Sequence, residues 1–452
     1  MEYFLQMVSQ FLWGPGTLML LLGTGLFLTI RMRFLPWRNL GYALRCALGR
    51  EARQAGRDGV SPFSALMTAL AATIGTGNIV GVATALTAGG PGALLWMEVS
   101  AFAGMATKYT ECMLSVKYRR RNRRGEWYGG PMYVMRSALG KPGALLGVLF
   151  ALFAVGASFG IGGLTQSNSI AGALGGVFGV PLWVTGPAAA LLALAVMLGG
   201  MRSISKVCTA LVPAMGIFYL AAGLAVIGRN LENLPAGLLQ IFTGALSPQA
   251  AAGGIAGASI REAVRWGISR GVFSNEAGLG SSAISAASAS TGDPVRQGYI
   301  SMTGNVIDTM VICTVTGLAI CCSGVLGALD AAGQPVNGGA LTILAFRTVL
   351  GPAGEGFVAV AITLFAFSTI LGWEYQGETA FVYLFGARRL PLFRLLFCLS
   401  VAWGAAERLE VVFRLSDICN ALMCVPNLIC LLLLSGEAAR DTNGFQKTSQ
   451  KM

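Results

Sequence analysis

Histidine is absent from all 452 residues. That zero excludes histidine metal sites, Ser-His-Asp nucleophile systems and histidine proton relays. Charge is scarce as well: Asp, Glu, Lys and Arg make up 12% of the chain, about half the share of an ordinary soluble domain. A water-soluble globule is a poor reading of such a chain. None of the ten cysteines forms a Cys-x-x-Cys pair, and most lie in apolar runs. They read as reduced packing residues, not as a disulfide frame. The first ten residues lack the basic stretch of a cleavable signal, so the first apolar run reads as a retained span.

What is present is apolar and small. Hydrophobic residues make up 54%, glycine numbers 62, and mean hydropathy is +0.66. A membrane span takes about 20 apolar residues. Eleven candidate spans follow, at about 14–33, 61–88, 92–117, 143–172, 181–199, 207–228, 255–288, 298–324, 354–384, 391–405 and 412–434. The expected fold class is therefore an all-α polytopic membrane protein. The loop at 34–58 and the segments at 231–250 and 325–350 each have room for a short interfacial helix, and the polar tail after Leu434 is expected to be loose.

Charge placement fixes an expected orientation. Of the 32 lysines and arginines, 24 fall on loops and the tail of one side. The other side has Arg229, Arg347, Arg408 and Arg414, while Lys108, Arg261, Arg265 and Arg270 fall within spans. By the positive-inside rule the N-terminus lies outside and the C-terminus in the cytoplasm, in a cell inner membrane. The net charge of +12 is thus a topology signal. The partner it implies is membrane lipid, not nucleic acid.

Two spans are interrupted. The first contains Ile74-Gly75-Thr76-Gly77-Asn78, and the second contains Arg270 to Ser282 with Gly271, Gly278 and Gly280. Setting the first span aside, each interruption falls in the opening helix of a five-helix half, and the halves start on opposite sides of the membrane. The chain then divides into 1–58 (extra span and basic loop), 59–228 (first repeat), 229–254 (external segment), 255–434 (second repeat) and 435–452 (tail). Paired Gly-interrupted helices at matching places point to the central site of a transporter. A helix broken at mid-membrane frees N–H groups that suit a carboxylate and carbonyls that suit a compact cation or an ammonium. Such a site fits a small zwitterion. The competing reading is that the glycines only let helices pack closely.

The string TALAATIGTGNIVGVATAL (68–86) followed by GGPGALLWMEVSAFAGMATKYTE (89–111) resembles the signature of the alanine/glycine:cation symporter family, the sodium:alanine symporters. So do GGPMY (129–133), FGIG with QSNSIA (159–162, 166–171), RGVFSNEAGLGS (270–281), Ile307-Asp308-Thr309 with Cys313-Thr314, and FAFSTILGWEYQGE (365–378). The resemblance implies a leucine-transporter-type fold: two inverted five-helix repeats plus one extra span. It implies import of alanine, glycine or a similar small amino acid by alternating access, with sodium as co-transported ligand and no other cofactor. The alternative it leaves is a proton-coupled symporter of another small or cationic amino acid.

Carried over residue by residue, the resemblance assigns substrate binding to Gly75, Thr76, Gly77 and Asn78, completed by Gln166, Phe273, Ser274 and Asn275. Trp373 is the expected wall that limits substrate size. For the cation, it assigns the hydroxyls of Ser368 and Thr369 and the carbonyls of Ala71 and Ile74. Asp308, Glu276 and Glu98 lie within spans, where charge is costly unless paired or wet. Asp308 is expected either to support a cation or proton site or to pair with a basic residue such as Arg270, and Glu276 and Glu98 share that ambiguity. The Arg261, Glu262, Arg265 cluster reads as an outer rim. Two departures stand out: Glu374 and Gln376 in WEYQGE, where the family pattern is WSYYGE, and Gly163, where asparagine is common. An ion channel is disfavoured because two repeat-related breaks suit an enclosed site better than a pore. An intramembrane enzyme is left only with the pair Asp308 and Asp417, without a supporting motif.

Overall fold

The computed structural model describes residues 2–56, 59–122, 125–246, 260–406 and 409–449. The basic residues Arg57, Arg123, Arg124, Arg408 and Lys451, and the stretch 247–259, lie outside the described residues.

The chain is helical almost throughout. Helix α1 (Glu2–Leu12) turns at Gly14 into α2 (Pro15–Arg31), and short helices α3 (Leu35–Arg38) and α4 (Leu40–Leu48) follow. Next come α5 (Pro62–Thr73) and α6 (Val82–Gly89), joined by a wide π turn at Gly77–Gly81, then α7 (Ala93–Lys117). A two-stranded ribbon, β1 (Arg120–Arg121) with β2 (Trp127–Tyr128), precedes α8 (Pro131–Ala138). Helices α9 (Gly140–Ala157) and α10 (Thr165–Phe178) are one path bent at a π turn over Ser158–Leu164. After them run α11 (Leu182–Met197), α12 (Gly200–Arg229) and α13 (Leu234–Leu246). The second part contains α14 (Ile260–Asn275), α15 (Ser281–Ala287), α16 (Pro294–Asn305), a π turn at Val306–Cys313, α17 (Thr314–Cys322), α18 (Gly338–Phe385), α19 (Leu390–Gly404) and α20 (Leu409–Ser449).

Local chemistry sets the boundaries. Ser61 caps α5, its hydroxyl accepting from the Ser64 N–H at 3.0 Å, with Pro62 at the first helical position. Asp293 caps α16 in the same way, with Pro294 following. Gly351 adopts φ +60° ahead of Pro352 and splits α18 into a short helix and a long span. That short helix, α13 and α4 occupy the three segments expected to have room for one.

Among the described residues six helices, counting the α1–α2, α9–α10 and α16–α17 paths as one each, are long and apolar enough to cross a membrane, and the α5–α6 pair is bent by 48° at its break. Among the described residues, helices or helix pairs overlap the expected spans, though several, α11 and α19 among them, are too short or too polar to count as crossing helices by length and composition. Burial sorts them into layers: the α16–α17 path and α18 are 67% buried over their most apolar stretch, while α2 is 28% buried and presents apolar side chains outward. Helix α7 packs against α14 and α16, α18 against α5, α10 and α12, and α20 against α9. The approach of α18 to α5 is close: a Cβ at Gly372 would lie 2.6 Å from the Ala72 nitrogen. All ten cysteines are free thiols.

One expectation fails. The tail after Leu434 is not loose but continues α20 to Ser449. The end of α7 holds it: Lys117 pairs with Glu437 and Asp441, Tyr118 donates to Glu437 at 2.6 Å, and the Tyr109 and Thr442 hydroxyls meet at 2.8 Å. Polar composition is compatible with order when each polar group finds a partner.

Candidate functional site

The two interruptions meet at the centre of the bundle. Helix α5 ends at Thr73 because Ile74 leaves the helical region (ψ +84°), and the chain re-forms a helix only from Gly77. The freed Gly75 N–H donates to the Asn78 side-chain oxygen at 3.0 Å, so the asparagine caps its own break. The Thr76 N–H points at the Gln166 side-chain oxygen at 3.5 Å, and the Gln166 amide donates to the Ile161 carbonyl at 2.9 Å. Gly77 faces the second interruption: a Cβ there would come within 3.3 Å of both the Ser274 Cα and the Phe273 ring.

The second break follows Asn275. Glu276 takes φ +55°, rare for a side chain with a Cβ, and Gly278 and Gly280 take +89° and +79° before α15 starts at Ser281. The strain at Glu276 is held by bonds on each side: Ser281 donates to its carboxylate at 2.6 Å, and the Lys108 ammonium donates to the Asn275 carbonyl at 2.6 Å.

Between the breaks lies Asp308, on the π turn between α16 and α17. Its carboxylate accepts from the Asn78 amide, from Ser274 Oγ at 3.2 Å and from Thr309 Oγ1 at 3.1 Å. The Cys313 sulfur lies 3.4 Å from Asn78 Nδ2 and 3.3 Å from Ser274 Oγ. Thr76, Asn78, Ser274 and Asp308 are all fully buried. An anionic group thus joins both broken helices in a dry interior, where its three donors offset desolvation. Asp308 is not the partner of Arg270. That guanidinium pairs with Asp417 of α20 at 2.8 Å and lies 5.3 Å from the ring centres of both Trp266 and Phe273. Asp308 and Asp417 are therefore separate, each with its own partners.

The hydroxyls assigned to the cation lie where the first helix ends. Thr369 donates to the Ala71 carbonyl at 2.9 Å, and Ser368 reaches the same oxygen at 3.4 Å while also bonding back to Phe365. A Cβ at Gly75 would lie 2.2 Å from Thr369 Oγ1, so only glycine allows this approach. Ile74 is buried at the same turn, its N–H bonded to Leu70.

Other expected residues lie slightly apart. The Asn275 side chain turns from the Gly75–Asn78 segment, its oxygen accepting from the Ala277 N–H at 3.0 Å. Trp373 is fully buried against the α9–α10 turn, where a Cβ at Gly162 would lie 2.4 Å from its Cβ. Glu98 accepts from Thr314 at 2.9 Å, and Arg265 approaches Glu262 at 3.7 Å on the rim. Glu374 faces α19, 3.8 Å from Arg394. Gln376 reaches Ser285 of α15 at 3.3 Å. Gly163 is explained locally: the Ser400 hydroxyl occupies the space a side chain would need, 2.4 Å from a Cβ built there.

The sequence reading gave no role to Lys108, Cys313 or Asn427. Lys108 is 2% exposed and braces the second break; Asn427 of α20 donates to the Gly278 carbonyl at 2.9 Å and to Glu111 at 3.0 Å. A lysine in the middle of an apolar span was a sufficient signal for the first. Cys313 lies in a motif that carries the resemblance, but nothing in the sequence marks Asn427.

Solved structures share this architecture. MhsT in complex with L-phenylalanine superposes with a TM-score of 0.62 at 15% identity, covering 86% of this chain and 93% of that one. The fold is therefore of the leucine-transporter type, with two broken helices at its centre. The sodium/alanine symporter AgcS of Methanococcus maripaludis is 45% identical, over 97% of this chain and 96% of that protein. The probable sodium/glutamine symporter GlnT of Bacillus subtilis is 35% identical, over 96% and 88%. Residues 1–452 match the description "Sodium:alanine symporter family". A multi-pass membrane transporter, and not an enzyme, the chain belongs to the sodium:alanine symporter family.

Proposed function

We propose that this protein imports alanine, glycine or a similarly small amino acid together with sodium, by alternating access across the cell inner membrane. The observation that carries this reading is the convergence of both helix breaks on one buried cluster, Asn78, Ser274 and Asp308. The substrate carboxylate is received at the first break, taking over the Gly75 and Thr76 N–H groups from Asn78 and Gln166, and its ammonium by the Asp308 carboxylate. Phe273 and the space closed by Gly77 restrict the side chain to one or two carbons, since each misfitting methylene costs about 1–3 kcal/mol. Gln166 holds the first break in register. Trp373 supports the wall from behind through the α9–α10 turn.

Sodium takes the Ala71 and Ile74 carbonyls and the Ser368 and Thr369 hydroxyls. These four oxygens carry no net charge, which suits a hard monovalent ion better than a divalent one. Binding there ties α18 to the end of α5, which orders the first break and raises substrate affinity. One charge moving down 100 mV then supplies about 2.3 kcal/mol, roughly fiftyfold in substrate concentration. The N-terminus lies outside and the basic loops inside.

The deciding experiment is uptake of labelled alanine into proteoliposomes under an inward sodium gradient, compared with a proton gradient alone. Accumulation with sodium is expected. Accumulation of neither alanine nor glycine under the sodium gradient would overturn the reading.

A further inference from the structure

Glu374 is fully buried, and among the described residues no donor reaches either of its carboxyl oxygens within hydrogen-bond distance. Another carboxyl, Glu378, stands one turn on along the same face of α18. Both share a single guanidinium: Arg394 of α19 donates to Glu378 at 2.8 and 3.1 Å and approaches Glu374 only to 3.8 Å. Glu378, Arg394 and Cys398 are the titratable or charged groups that face Glu374. The Ser158–Leu164 turn and α10, packed on the same part of α18, bring none.

Two carboxylates and one guanidinium leave an unmatched negative charge away from water, which is costly. Two facing carboxyls satisfy each other only when one proton lies between them. Beside the pair is a cavity of about 500 Å³, lined by Tyr128, Arg202, Ser288, Tyr375, Glu378 and Arg394. It lies on the side of the basic loops. Glu378 lines it and Glu374 lies just behind, adjacent to Trp373 and so to the α9–α10 turn.

We infer that Glu374 and Glu378 form a proton-binding site, in which Glu374 carries the proton while α18 and α19 are closed and releases it to this cavity when the inner side opens. The step is an acid dissociation: the O–H bond of Glu374 breaks, the electron pair stays on the carboxylate, and the proton passes to water. Opening lets water reach Glu374 and so stabilises its charged form, and by linkage the loss of the proton favours the open inner side. Alkaline conditions on the inner side thus speed opening, with a limit of about tenfold per pH unit for one proton. This inference rests on the transport reading for its effect on rate but not for the site itself.

The test therefore has two readouts. Infrared difference spectra of the purified full-length protein at neutral pH should show a protonated carboxyl band that is lost in Glu374→Gln. It should also be lost in Glu378→Gln, where the remaining carboxylate matches Arg394 alone. Persistence of the band in both variants would overturn the site, whatever the protein transports. In proteoliposomes with outer pH and sodium fixed, alanine uptake by the unaltered protein should rise with inner pH. Glu374→Gln should still bind alanine yet lose that dependence. An equal dependence in the variant, or none in the unaltered protein, would sink the proposed release. Failure of alanine uptake altogether would instead count against the transport reading, with the infrared result standing separately.

Discussion

Asn78 is the residue on which most geometry depends. It caps the Gly75 N–H and donates to Asp308, and a hydrogen bond to a buried charge is worth about 1.5–3 kcal/mol. Asn78→Ala should lower alanine uptake by at least about tenfold while the protein still inserts, which uptake corrected for membrane content would show. Thr369→Ala should act differently. Removing the hydroxyl from the Ala71 carbonyl should raise the sodium concentration for half-maximal uptake by about tenfold and leave the rate at saturating sodium nearly unchanged. Equal damage at all sodium concentrations would remove Thr369 from the cation site. At this scale the sequence was legible where a residue type is unusual for a membrane helix. Gly75, Asn78, Ser274 and Asp308 stand out for that reason, and they come together. Asn275 differs from its neighbours in that its side-chain oxygen accepts from the Ala277 N–H two residues on, a local bond that the motif does not reveal. Cys313 stood in a family motif without a role, and its position beside Ser274 is what places it at the site.

Elements depend on what happens at their breaks. Helix α14 carries Arg270 one turn ahead of Ser274, and its pairing with Asp417 ties the second broken helix to α20. The pair lines a cavity on the side opposite the basic loops, together with Trp266, Asn337 and Arg414. Removing one partner of a buried pair commonly costs about 3–5 kcal/mol, whereas replacing both by apolar residues can be neutral. Arg270→Met and Asp417→Leu should each lower the unfolding temperature in detergent, and the double variant should recover much of the loss. Additive losses would mean that the pair does not act as a unit. The breaks themselves were visible as glycine and amide residues inside apolar runs. The π turns were not, because no side chain pattern separates them from an ordinary helix. The order of the tail was also hidden, since it depends on Lys117 and Tyr118, more than 300 positions earlier.

For the whole molecule, the distribution of charge predicts which ends face which compartment. A cysteine introduced near Glu2 should react with a membrane-impermeant maleimide in intact cells, and one near Gln446 only after permeabilisation. Eight of the ten native cysteines are buried, which keeps the background low. The reverse pattern would invert the proposed orientation. The all-helical, many-span character was legible because apolar length encodes it. How the spans pack was not, because lipid-facing and buried helices are equally apolar. That distinction has a consequence for synthesis. Trp13 donates its indole N–H to the Asp417 carbonyl at 2.9 Å, a bond joining residues 404 positions apart, and α1 and α2 both pack against α20. At about 5–20 residues per second the first helix waits roughly 20–80 seconds for its partner to emerge from the ribosome. The first helices made are among the last to be fully packed, so a chain cut before α20 leaves a surface in the bilayer that a quality-control protease can recognise.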